Sequence, residues 1–223
     1  MGFSKEWQER YEQQTHLSIW PWSDLVSYVM RYAKPDRKDF KVLELGCGAG
    51  ANIPFFLNLG VEYYSVEGSQ YIVNQLLEKY PLLKGNIIAG DFTKYLPFNM
   101  QFDLIVDRGS LTCNSTESIK NTLEQVEGKL KQGGFFIGID WFSTEHSEYE
   151  RGKVSEDSFT KNGFLDGPFA NTGNVHFSSK EHLRDLFKGY EFVKLENKVT
   201  RDALADKDYR LATWNFAVKK VGR

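Results

Sequence analysis

The chain is nearly devoid of cysteine. Cys47 and Cys113 are the only two among 223 residues. With neither a C-x-x-C pair nor a metal-ligand spacing around them, a disulfide framework or a structural zinc site has no basis. Cys47 reads as a small residue in a crowded turn. Long apolar runs are missing too: no stretch approaches the roughly 20 apolar residues that a bilayer-crossing helix needs. Charge of one sign is equally scarce. The 28 basic and 30 acidic residues leave a formal net charge of −2 and form no long block. The electrostatic footprint of a nucleic-acid or anionic-membrane binder is therefore absent, and neither nucleic acid nor a membrane is expected as a partner. The opening residues, MGFSKEWQERYEQQ, are too charged for a signal peptide, so the default expectation is a cytoplasmic protein. With 41% apolar and 15% aromatic content, the chain can bury one sizeable core. We expect a single domain spanning 1–223, with the oligomeric state left open.

What the sequence does have is a strand running into glycines. Residues 42–52 read VLELGCGAGAN: an apolar run, an acidic residue, then Gly46, Gly48 and Gly50 at every second position. Glycine tolerates positive φ and lets backbone N–H groups approach a ligand, and the helix that follows offers its positive end, so a nucleotide-like cofactor belongs here. Gly46, Gly48 and Ala51 also satisfy the dinucleotide fingerprint, with Glu67 about 20 residues on. The glycines alone therefore leave an NAD-dependent oxidoreductase open.

The rest of the chain alternates. Runs at 42–45, 102–107 and 133–142 read as strands buried on both faces. Asn114 with Glu117 forms a capping box for a helix whose Ile119, Leu123, Val126 and Leu130 share one face, ending at Gly133 and Gly134. Ser178 with Glu181 gives a second box, with Leu183, Leu186 and Phe187 buried and Gly189 as the stop. A helix at 51–58, a strand at 62–67, a helix at 70–80 stopped by Pro81 and a strand at 86–90 complete the pattern. Strands alternating with helices imply a doubly wound α/β sheet. Residues 190–200 and 209–221 break the rhythm, because so short a link between two strands makes them antiparallel.

With these residues in view, the chain from 41 to 221 resembles the class I S-adenosylmethionine-dependent methyltransferases. ELGCGAG is similar to their first motif. The resemblance implies a Rossmann-like, seven-stranded, mostly parallel sheet with helices on both faces and a C-terminal antiparallel hairpin. It implies that Gly46, Cys47 and Gly48 accommodate the methionine end of S-adenosyl-L-methionine while Glu44 supports the loop. It implies that Glu67, followed by Gly68, accepts hydrogen bonds from the ribose hydroxyls, and that Asp91 and Phe92 hold the adenine. Asp107, in FDLIVDRGSL, would then close the fourth strand beside the transferable methyl group. The oxidoreductase reading gives Asp91 and Phe92 no role and supplies no second domain. A protein that binds the cofactor without transferring a methyl group remains a second alternative.

DRGS after the fourth strand is neither the Asn/Asp-Pro-Pro-aromatic signature of base-modifying enzymes nor the paired-glutamate hairpin of protein arginine methyltransferases. Asp-Arg, a small residue and Leu look like the thiopurine and tellurite-resistance type, so a small-molecule acceptor of unknown atom is expected. Residues 1–40 would form a helical cover over a cofactor-binding core at 41–142. In that cover Trp7, Tyr11, Trp20 and Trp22 are aromatic, and Tyr11 is placed near the sulfonium. The polar segment 143–177 would be an insertion or lid, followed by the last helix and hairpin at 178–223. His176, just before that helix, is a candidate general base, and Asp140, at the end of the fifth strand, a candidate to orient the acceptor. His16, His146 and His182 read as solvated. No metal site is expected, since Asp107 and Asp140 alone do not enclose a hard cation.

Overall fold

The computed structural model describes Glu6, Tyr11, Glu12, residues 17–204 and residues 208–222; Trp7 and His16 lie outside these described residues. Five strands, β1 (Lys41–Leu45), β2 (Glu62–Glu67), β3 (Ile87–Ala89), β4 (Phe102–Arg108) and β5 (Leu130–Phe142), pair parallel with one another. Three short strands, β6 (Lys153–Val154), β7 (Thr160–Asn162) and β8 (Val175–His176), form a separate antiparallel sheet. The chain then returns through β9 (Tyr190–Arg201) and β10 (Arg210–Lys220). The seven-stranded sheet has the order β3-β2-β1-β4-β5-β10-β9. In it β10 lies antiparallel between β5 and β9, which is the hairpin read from the sequence. Strand order reverses between β1 and β4, the position where open α/β sheets bind ligands beyond their strand ends.

Helices α1 (Ser23–Tyr28, continued by a π-helical turn over Val29–Ala33), α2 (Ile53–Leu59), α3 (Gln70–Lys79), α4 (Thr116–Lys129) and α5 (Lys180–Leu186) cover both faces. Successive side chains of a strand point to opposite faces. Val42, Leu104 and Val106 accordingly pack with Leu25, Phe56 and Leu76 of the first three helices. Leu43, Leu45 and Ile105 pack with Ile119, Leu123 and Val126 of α4 and Leu183 of α5. No helix among the described residues is long and apolar enough to cross a membrane.

Both helix caps sit one residue later than the spacing predicts, and neither uses the expected Glu117 or Glu181. Ser115 rather than Asn114 caps α4, accepting from the Ser118 N–H. The Asn114 amide instead donates to the Ser110 and Leu111 carbonyls. Ser179 rather than Ser178 caps α5, because Ser178 is committed to the sheet: its N–H donates to Phe142 and its carbonyl accepts from Trp214. Helix α4 stops at Lys129 and the chain becomes extended at Leu130, without waiting for Gly133.

The polar segment at 143–177 has a core of its own. Phe164, Phe169, Val175 and Phe177 pack with Phe142 and Tyr149 beneath β6–β8. His146, expected in solvent, is 2% exposed and ringed by Phe142, Phe169, Phe177 and Tyr209. His182, also expected in solvent, is buried with its ring 3.7 Å from that of Phe159. Most of the rings that bury these histidines, Phe169, Phe177 and Tyr209 for His146 and Phe159 for His182, come from more than 20 residues away in the chain.

Candidate active site

The glycine turn is built by steric necessity. Gly46 and Gly48 have φ of 67° and 51°, where an L side chain is strained. A Cβ on Gly46 would stand 2.5 Å from the Ser110 Cβ, and one on Gly48 3.1 Å from the Tyr11 hydroxyl. Glu44, buried at the end of β1, accepts from the Asn52 amide at 2.7 Å and the Tyr63 hydroxyl at 2.6 Å. It thus ties the strand to the far side of the turn. Burial pushes its carboxyl up to about 7, against those two hydrogen bonds.

Glu67, 3% exposed, receives the Gly48 N–H on Oε2 at 2.8 Å and the Ser69 N–H on Oε1 at 3.0 Å. Burial raises its pKa while these backbone donors lower it. The Gly68 N–H also acts on this carboxylate, and its two oxygens together carry four lone pairs, so acceptor capacity is left for a ribose hydroxyl. Asp91 Oδ1 is held by the Thr93 N–H and hydroxyl at 3.0 and 2.6 Å. Its buried Oδ2 has no hydrogen bond, with the Lys94 ammonium at 3.3 Å. Phe92 is buried beside Gly46, its ring edge 3.6 Å from where a Cβ on that glycine would stand. Spare lone pairs on Glu67, an unbonded buried oxygen on Asp91 and a cradle that a Cβ would fill all fit S-adenosylmethionine.

These groups open into one cavity of about 860 Å³, within the usual range for small-molecule sites. Tyr11, Glu44, Gly46, Cys47, Gly48, Glu67, Gly68, Asp91, Phe92 and Asp140 all line it. Burial, and then the charge of Glu67, push the Tyr11 phenol far above its ordinary range, so it stays neutral. Burial likewise raises the Cys47 thiol, which makes it a packing residue without nucleophilic character. Of the expected tryptophans, Trp20 is 77% exposed. Trp22 lines the cavity and donates its N–H to Asn52 Oδ1 at 3.2 Å, tethering the N-terminal segment to the glycine turn.

Two expected site residues lie outside this cavity. Asp107 is fully buried, its oxygens accepting from the Leu111 N–H at 3.0 Å, the Trp141 indole at 2.7 Å and the Ser110 hydroxyl. It holds the turn after β4 instead of a ligand, and burial lifts its pKa to about 6. His176, also fully buried, sits between His182 and Thr160. Burial drives its pKa down to about 3, and a base needs contact with the proton it removes.

Sequence reasoning overlooked the other end of the cavity. Asp24, Arg108 and Lys198 join Asp140 there. The Arg108 guanidinium lies 3.5 Å over the Trp22 ring and donates through Nε and Nη2 to Asp140 Oδ2 at 3.0 and 2.9 Å. Asp24 Oδ2 accepts from Lys198 and from the Asn215 amide, the latter at 3.0 Å. Asp140 was expected there from its place at the end of the fifth strand; of the three overlooked residues only Arg108 carried a local signal, in DRGS, while Asp24 and Lys198 arrive from α1 and β9.

Residues 42–134 match the family model described as a methyltransferase domain. No curated protein matches the chain. Among solved structures, an S-adenosylmethionine-dependent methyltransferase from Methanosarcina mazei has a TM-score of 0.68 at 13% identity, covering 92% of this chain and 100% of that one. One from Clostridium acetobutylicum gives 0.64 at 16%, covering 96% of both chains. TehB from Haemophilus influenzae gives 0.62 at 17%, covering 96% of this chain and 67% of its own. At these identities the structural likeness is one of fold.

Proposed function

We propose that this chain, a class I S-adenosylmethionine-dependent methyltransferase, methylates a small-molecule acceptor. The observation that carries the proposal is the single cavity, whose walls run from the glycine turn and Glu67 to Arg108, Asp140 and Lys198. Trp22 of the N-terminal segment and Pro168 and Phe169 of the insertion also line it. A cavity of this volume suits a small molecule.

When bound, the cofactor supplies a methyl group already activated on a sulfonium. The residues therefore have mainly to orient and to exclude water. Glu67 and Asp91 would fix the ribose and the adenine, and Gly46 and Gly48 allow the backbone to close on the methionine end. Tyr11, neutral and buried, presents a phenol oxygen and a π face to positive charge. Asp140 faces the acceptor part of the cavity and can receive or hold a hydroxyl or amine proton there.

The test is incubation of the protein with methyl-labelled S-adenosylmethionine and a deproteinised, nucleic-acid-free metabolite extract, alongside the macromolecular fraction. Label is expected in the low-mass fraction. Label confined to protein or nucleic acid would overturn the proposal.

A further inference from the structure

Four charged side chains in the acceptor part of the cavity come from four separate elements: Asp24 from α1, Arg108 from the end of β4, Asp140 from β5 and Lys198 from β9. They form two ion pairs, Arg108 with Asp140 and Lys198 with Asp24. The pairs share one buried pivot. Asn215 of β10 accepts the Asp140 N–H on Oδ1 at 2.9 Å and donates its amide to Asp24 at 3.0 Å. Asp140 is also a non-glycine residue with φ of 56°. A left-handed backbone there costs strain and persists only where the surroundings impose it, a pattern that clusters at ligand sites.

Each pair is half spent. Both carboxylates use Oδ2 and leave Oδ1 without a hydrogen bond among the described residues. Arg108 spends Nε and Nη2 on Asp140 and keeps its Nη1 donors, while its face is fixed by Trp22. The Lys198 ammonium is held above its usual range, first by its hydrogen bond to Asp24 and also by the charge of Asp140.

The quartet sums to zero charge. A purely anionic acceptor would meet the two carboxylates and a purely cationic one the two cations, and such like-charge contact between half-buried groups is unfavourable. A wholly apolar one would strand the unspent donors and acceptors once water is expelled.

We infer that the acceptor is a zwitterion of the α-amino acid kind, its carboxylate taken by Arg108 and its ammonium by the free oxygens of Asp140 and Asp24. This rests on the small-molecule reading above. Phe142, Phe169 and Leu211, which also line the cavity, receive its apolar part. Arg108 is the specificity-determining residue, because a guanidinium pinned on an indole presents a pre-organised fork for a carboxylate.

The experiment titrates protein saturated with S-adenosylhomocysteine, by calorimetry, with three matched sets of probes. These are apolar L-amino acids, their methyl esters and their N-acetyl derivatives. Free amino acids are expected to bind, and the blocked forms of the best one to bind at least about tenfold more weakly, the scale of one charge-assisted hydrogen bond. Arg108→Gln should remove the discrimination against the ester and leave the affinity for S-adenosylhomocysteine unchanged. The inference is overturned if no free amino acid binds, if the blocked forms bind equally well, or if Arg108→Gln loses S-adenosylhomocysteine to the same degree. Methyl transfer from S-adenosylmethionine, run on the same probes and on uncharged small molecules, separates the two claims. Label on an uncharged acceptor alone refutes the zwitterion and leaves the small-molecule reading standing, whereas label confined to macromolecules refutes that reading itself.

Discussion

The Nε2 atoms of His176 and His182 lie 3.2 Å apart in a buried pair that joins β8 to α5. On its other side His176 meets the Thr160 hydroxyl at 3.2 Å. That hydroxyl donates to Asp157 at 2.9 Å, and Asp157 also accepts the Thr116 N–H that opens α4. The pair therefore fastens the insertion to the main sheet's helical layer, and neither histidine lines the cavity.

Burial lowers the two histidines to about 3 and about 4. Their contribution to stability is full above the unfolded value of 6.5 and is lost as pH falls from there toward about 3. His176→Gln should cost roughly 1 to 3 kcal/mol at pH 7.5, as expected for disrupting a buried hydrogen-bonded pair, and less at pH 5. Urea unfolding at the two values reads the difference. Turnover per folded molecule should keep its pH profile; a lost acidic limb would return His176 to the catalytic machinery as a base.

Glu44 titrates in the opposite sense. Its folded-state pKa of about 7 lies above the ordinary 4.5. The stability it contributes is present below about pH 4.5 and is lost as pH rises through 7. Glu44→Gln should lose less stability than the wild type between pH 5 and 8, by up to about 3 kcal/mol. Parallel stability curves for the two proteins would show that Glu44 is not held in this way.

Gly46→Ala should disable the site outright. Its Cβ would meet Ser110 at 2.5 Å in a left-handed backbone, a strain of at least 1 to 2 kcal/mol before any clash is counted. Thermal unfolding should register the loss, and cofactor titration should show no binding.

Asp140 offers a strain measurement. Asp140→Gly and Asp140→Ala both remove the carboxylate, but only glycine accepts φ of 56° freely. The glycine variant should be the more stable by about 1 kcal/mol, and both should lose turnover. Equal stability would mean that the backbone relaxes out of the left-handed region.

The cofactor half of the site was legible because each of its parts is local. Gly46 and Gly48 follow their strand directly, Glu67 closes its strand and Asp91 stands just beyond its own, so spacing along the chain reported position in space. The acceptor half was not legible, because Asp24 and Lys198 are 174 residues apart and no periodicity links them. Asp107 and His176 were misplaced for a related reason. Trp141, the partner of Asp107, is 34 residues away, and a strand-end carboxylate looks the same in sequence whether it faces a ligand or an indole; the partner of His176, His182, is only six residues on, but the spacing does not say that the two rings turn toward each other. The aromatics of the insertion did carry a signal: Tyr149, Phe159, Phe164, Phe169 and Phe177 are too many for a solvated lid and mark a small core of its own.

The most direct test of the account is calorimetric titration of S-adenosylhomocysteine and of NAD into the wild-type protein and into Glu67→Ala and Asp91→Ala. S-adenosylhomocysteine should bind with one site per chain and NAD should not, because one carboxylate diol clamp and one adenine site fit a single nucleoside. Each substitution should leave the protein folded and weaken binding by roughly 1 to 3 kcal/mol, the cost of losing hydrogen bonds to a charged group. Tighter binding of NAD, or unchanged S-adenosylhomocysteine affinity in both folded variants, would contradict the assignment of the pocket.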